Sequence, residues 1–199
     1  MKTFLVSLML IVAGVTGMTA EQAKVAGGTN VLSASGQAIF SGKTISFKTA
    51  IASWHEKQKI LKLELYPVDL TAKEVAEIRK SGSWNTIIEK KPSPDKKLWN
   101  WVPSASITLW FENATGPFTR ENVKSVGINF VGFGDKSFST MCISLLPEPS
   151  VVTNALTALT AGPILANKSV ALEFKSSGND PAYSIDVKVA TEIIKLSPF

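Results

Sequence analysis

From Gln37 onward the chain keeps returning to a period of two, and that habit limits its fold more than any other feature. In the stretch ending Lys43-Thr44-Ile45-Ser46-Phe47-Lys48, Ile45 and Phe47 share one face while Thr44, Ser46 and Lys48 take the other. In Ile60-Leu61-Lys62-Leu63-Glu64-Leu65-Tyr66, three leucines alternate with Lys62, Glu64 and Tyr66. Alternation sends successive side chains to opposite faces, so each run reads as a strand with one wet face. The polar break His55-Glu56-Lys57-Gln58 between the stretch Gly36 to Trp54 and the leucine run predicts a β-hairpin.

Further strands are expected at Ala105 to Phe111, Val123 to Phe133, Ser137 to Leu145, Ser169 to Lys175 and Tyr183 to Lys195. Turn signals separate them at Asn113-Ala114-Thr115-Gly116-Pro117, Gly134-Asp135-Lys136 and Gly178-Asn179-Asp180-Pro181. Residues 151–166 mix Ala and Leu with Val and Thr and fit either a helix or a strand.

One segment departs from the period of two. Thr71-Ala72-Lys73-Glu74 is a capping box, Ala72, Val75 and Ile78 form an apolar stripe, Arg79 and Lys80 suit the last turn, and Gly82 suits the stop. This predicts a short helix over 72–81. Roughly eight to ten strands with one or two short helices predict a mainly β fold, an antiparallel β-sandwich or open barrel.

The N-terminus points to export. Lys2 precedes the apolar run Phe4 to Ala13, about ten residues long, and Gly14, Gly17, Thr19 and Ala20 supply the small residues of a cleavage site. The run is too short to cross a bilayer as a helix, which takes about 20 residues. Residues 1–20 are therefore expected to be a signal peptide, 21–29 a flexible lead-in with Gly27-Gly28, and 30–199 one β-rich domain, periplasmic or extracellular. No transmembrane segment is expected in the mature chain.

A domain of about 170 to 180 residues buries enough surface to fold without staples. That matters here, because Cys142 is the single cysteine and excludes an intrachain disulfide. Its strand-like setting, Ser139 to Leu145, suits a buried inert thiol. Of 21 basic and 16 acidic residues, Lys2 leaves with the leader, for a net charge of about +4 that favours solubility. Runs of like charge long enough for a nucleic-acid arm are missing, so no nucleic-acid partner is expected.

The chemistry of the chain argues against a catalytic, metal or cofactor role. His55 is the single histidine, and no G-x-S-x-G turn accompanies Ser53. Structural zinc needs several Cys or His ligands, and Gly132-Phe133-Gly134 is too short for a phosphate loop. A glycosidase needs two carboxylates, and Glu64, Glu112, Glu173 and Asp186 fall in or beside expected strands; alternation places Glu64 and Asp186 on the solvent face.

The segment 90–103 is a long Pro-bounded loop, and loops of that length are often functional. It carries Lys90, Lys91, Lys96 and Lys97 beside Trp99 and Trp101, with Trp84 just before it and Trp110 on the next strand. Indole rings beside cations suit sugars and anionic polymers; folded inward, the same rings would instead cover one end of the domain. The binding site expected from sequence is thus Trp84, Lys90, Lys91, Lys96, Lys97, Trp99 and Trp101. Asn113 and Asn167 head glycosylation sequons. The leading expectation is an exported, non-enzymatic binding module for a glycan, an envelope polymer or a protein. The alternatives are a polysaccharide hydrolase with two strand-borne acids, and a structural part of an envelope complex that offers a sheet edge.

Overall fold

The computed structural model describes residues 32–93, 102–133, 141–145, 156–159, 163–166, 168–179 and 182–197. They are mainly β, in one mixed eleven-stranded sheet with two short helices. The strands are β1 (Ser33–Phe40), β2 (Lys43–Ser46), β3 (Thr49–His55), β4 (Ile60–Tyr66), β5 (Ser104–Phe111), β6 (Val123–Val131), β7 (Met141–Leu145), β8 (Leu156–Leu159), β9 (Leu165–Ala166), β10 (Ser169–Asn179) and β11 (Ala182–Ser197). The helices are α1 (Ala72–Ser81) and α2 (Asn85–Glu89). Strand order runs β2-β1-β11-β3-β4-β5-β6-β7, with β10 on the other side of β11 and β8 and β9 against β10.

The sheet turns a corner where two chain segments leave one set of neighbours for another. β11 pairs antiparallel with β1 from Tyr183 to Ala190, then runs parallel to β3 from Ile193 to Ser197. The segment 43–55 makes the same passage: β2 lies on β1, the Phe47 N–H donates to the Gly36 carbonyl at 2.9 Å, and the Lys48 N–H donates to the Tyr66 carbonyl at 2.9 Å. Past the corner the inner faces meet. Phe40 of β1 stacks on Phe130 of β6 at 5.2 Å, and Phe130 lies 6.0 Å from Tyr183 of β11. Leu61, Leu63 and Leu65, Ala105, Ile107 and Leu109, and Ile185, Val187 and Val189 fill the same apolar core. Gly36 permits one close approach: its φ is +110°, and a Cβ there would stand 2.1 Å from the Asp186 carbonyl oxygen.

Two expectations are corrected and one open reading is decided. The run Gly36 to Trp54 is not one hairpin arm, because Ser41 (φ 51°) and Gly42 (φ 73°) reverse the chain between β1 and β2. Two consecutive positive-φ residues make the tight hairpin turn that matches strand twist, and β3 is what pairs with β4. The sheet is also not wholly antiparallel, since the long last strand enters beside β3 in parallel. Residues 151–166, open between helix and strand, supply β8 and β9.

α1 forms as its capping box requires. The Glu74 N–H donates to the Thr71 hydroxyl oxygen, the Thr71 N–H donates to the Glu74 carboxylate, and Gly82 closes the helix in the left-handed conformation (φ 64°). Val75 and Ile78 bury against Ile51, Tyr66, Val68, Ile88 and Val102. Ile51 alternates with Ala50 and Ala52, which face the main core, so this second cluster lies on the opposite face of β3.

Candidate functional site

The helices seat a polar cluster on the outer face of β4. Alternation puts Lys62, Glu64 and Tyr66 on that face, and α2 begins just after Trp84. One Glu64 oxygen, Oε2, accepts from the Tyr66 hydroxyl at 2.6 Å and from the Trp84 indole N–H at 2.7 Å; the other, Oε1, lies 2.6 Å from the Lys62 ammonium. Burial alone would push the Glu64 carboxyl up, but Lys62, Tyr66 and Trp84 together hold it below the ordinary carboxylate range. Burial, followed by the charge and hydrogen bond of Glu64, raises the Tyr66 phenol. The expectation that Glu64 faces solvent is therefore corrected. Its face is the outer one, and Trp84 and the helices cover it.

Beside this cluster, Lys91 just beyond α2 reaches back to Glu74 of α1 at 2.7 Å. The Lys91 hydrogen bond, then that of the Thr71 N–H, lowers the Glu74 pKa to about 2. Arg79 of α1 pairs with Glu192 of β11, and its Nη2 is buried without a hydrogen-bond partner among the described residues. The helices are thus latched to the sheet by Trp84–Glu64 and Arg79–Glu192, and to the segment beyond α2 by Lys91–Glu74.

Of the site residues expected from sequence, Trp84 is half-buried against the second cluster with its N–H on Glu64, Lys91 is paired, and Lys90 is exposed. Lys96, Lys97, Trp99 and Trp101 lie outside the described residues. The two flanks of their segment are described, and both go to one place. Ile88 and Val102 are buried in the same apolar cluster, and the Lys91 N–H donates to the Ile88 carbonyl at 2.9 Å.

Two of the strand-borne acids share a face, and Glu64 lies apart from them. Glu173 pairs with Lys188 at 2.8 Å and Asp186 with Lys175 at 2.9 Å on the exposed face of β10 and β11, while Glu64 lies on the face of β4 beneath the helices. The Glu173 partner holds the Lys188 ammonium pKa above its usual value. An open cavity of about 300 Å³ lies beside that exposed face, lined by Ser35, Gly36, Gln37, Asp186 and Lys188. His55 ends β3 half-buried, with Ser53 buried on the same face. Among the described residues, no three His, Cys, Asp or Glu side chains are grouped to hold a metal, and no helix is long and apolar enough to cross a membrane.

The sequence reading missed the acceptor of Trp84. Alternation could have paired Glu64 with Tyr66, two residues apart on one face, but nothing local connects Trp84 to Glu64, twenty positions away. No protein-family model, curated protein or solved structure matches this chain.

Proposed function

We propose that the chain is an exported, non-enzymatic binding module for a glycan, an envelope polymer or a protein, with the segment carrying Lys96, Lys97, Trp99 and Trp101 as its recognition element. The observation that carries this reading is the anchoring of both flanks of that segment in one buried apolar cluster, Ile88 on one side and Val102 on the other. Recognition residues commonly sit on connections held by a rigid scaffold. The leader-like N-terminus supports export, and Lys90, just before those residues in the chain, is an exposed cation.

Glu64, one of the strand-borne acids, is held below the ordinary value, whereas a glycosidase acid needs its pKa raised.

Intrinsic fluorescence and calorimetric titration with neutral and anionic glycans test the proposal. Trp99→Ala and Trp101→Ala are expected to abolish binding while leaving the urea midpoint unchanged. A lowered midpoint in both variants would put the two rings in the core and remove the site.

A further inference from the structure

The outer face of β5 and β6 carries an indole in an unusual posture. Trp110 points outward between the core residues Leu109 and Phe111, and Ser125 stands directly opposite it on β6. Its ring nevertheless reaches diagonally to Gly127. A Cβ on Gly127 would meet Trp110 Cη2 and Cζ3 at 3.0 Å, so the ring leans along the sheet surface instead of standing off it. A side chain at Gly127 would have to displace the ring by a few tenths of an ångström, and Trp110 itself stays half-buried, with part of its surface open.

A β-bulge places a cation next to Ser125, the residue across the ladder from Trp110. The register of β5 against β6 shifts between Trp110 and Phe111, which face Ser125 and Val123, so Lys124 is the extra residue. Burial follows the bulge: Val123 and Val126 pack on the main core, while the two residues between them, Lys124 and Ser125, both lie outside it. Plain alternation would have separated that pair between two faces. Lys124 is exposed, and no carboxylate lies within ion-pair distance of it among the described residues. Thr108, which pairs with Gly127 across the ladder, adds a hydroxyl to the same face.

We infer that Trp110, Lys124, Ser125 and Thr108 form a second sugar site, one that stacks a pyranose ring of an acidic polysaccharide on the indole and sets its carboxylate against Lys124. The inference rests on the glycan branch of the reading above, but it uses different residues from the Trp99 and Trp101 segment. A flat apolar ring with an N–H, edged by hydroxyls and by an ammonium with no carboxylate partner among the described residues, matches a sugar with C–H groups on its face and a carboxylate at its rim.

The test is calorimetry of the mature chain with a galacturonate oligomer and a glucose oligomer of equal length, at low and high salt. The galacturonate oligomer is expected to bind more tightly, with an affinity that falls as salt rises. Trp110→Ala is expected to weaken it by about tenfold. Lys124→Gln, a change at an exposed position that leaves the fold intact, is expected to weaken it several-fold and flatten the salt dependence. Because Trp110→Ala also uncovers Gly127, its thermal melt is recorded, and Lys124→Gln decides where that variant is destabilised.

If the wild type binds the oligomer while both variants bind it equally well, the site is elsewhere and this inference fails. Loss with Trp99→Ala and Trp101→Ala alone would then uphold the parent proposal. If neither oligomer binds, this inference fails, and the parent proposal survives only for a protein partner or another polymer.

Discussion

The two faces of β3 are buried by different physics. Its inner face presents Ala50, Ala52 and Trp54 to a core of apolar side chains, in which rings from β1, β6 and β11 meet directly. Its outer face presents Thr49, Ile51 and Ser53, and the cover there is part apolar and part polar. The Thr49 hydroxyl donates to the Val68 carbonyl at 2.6 Å, Trp84 donates to Glu64, and Arg79 pairs with Glu192. Apolar contacts are non-directional and tolerate a continuous sheet. A short helix pair with few apolar residues needs directional bonds to fix where it sits, and a covered polar group that loses its partner costs more than the bond itself contributes.

The comparison predicts a graded set of effects. Phe130→Ala removes a ring that touches Phe40, Phe133 and Tyr183. It is expected to cost about 3–5 kcal/mol in urea unfolding; a loss below that of any outer-face variant would erase the distinction between the two faces. Glu64→Ala leaves the Tyr66 hydroxyl and the Trp84 N–H without their acceptor. The expected loss is about 1–3 kcal/mol, with a red shift in Trp84 emission. In the double variant with Trp84→Phe the losses are expected to be less than additive, and strict additivity would mean that the Trp84–Glu64 contact carries no coupling.

Thr71→Ala breaks only the capping box of α1. It is expected to cost about 1 kcal/mol, and a much larger loss would show that the whole second cluster depends on α1 being capped. The smallest effect is the response to acid. Glu64 and Glu74 have folded-state pKa values below their unfolded ones, so their contribution is complete at neutral pH and fades as pH falls through the ordinary carboxylate range, for Glu74 down to about 2. The urea midpoint at pH 3 should lie below that at pH 7, and Glu74→Gln should narrow the gap. An unchanged gap would assign the acid sensitivity to other groups. Lys91 and Glu74 are partly solvated, which keeps this contribution small.

Much of the fold could be read in advance where its cause is local. The capping box, stripe and glycine stop of α1 lie within a dozen residues, and the alternation of Ile60 to Tyr66 and of Ala105 to Phe111 shows directly which side chains are inner. The β1–β2 reversal escaped because Ser41 in a left-handed turn carries no strong signal, unlike an Asn-Gly pair. The candidate site was legible only in part. The sequence marked Trp84, Lys90 and Lys91 as a cluster with the residues that follow, but it could not show that Trp84 spends its N–H on Glu64 or that Lys91 closes on Glu74. Lys124 was hidden for a similar reason, since a bulge depends on how two strands register and not on either strand alone.

By itself, then, the sequence determined that this chain is mainly β, that Leu61, Leu63 and Leu65 share one face of their strand, and where α1 starts and stops. Periodicity and capping act over one or two turns of chain, within reach of nearest neighbours. Tertiary structure alone decided that β11 leaves β1 to run parallel to β3, that α1 and α2 cover the Glu64 face, and that Trp110 lies across Gly127. Each of these joins residues far apart in the chain or in different strands, where the outcome depends on the packing of every element between them.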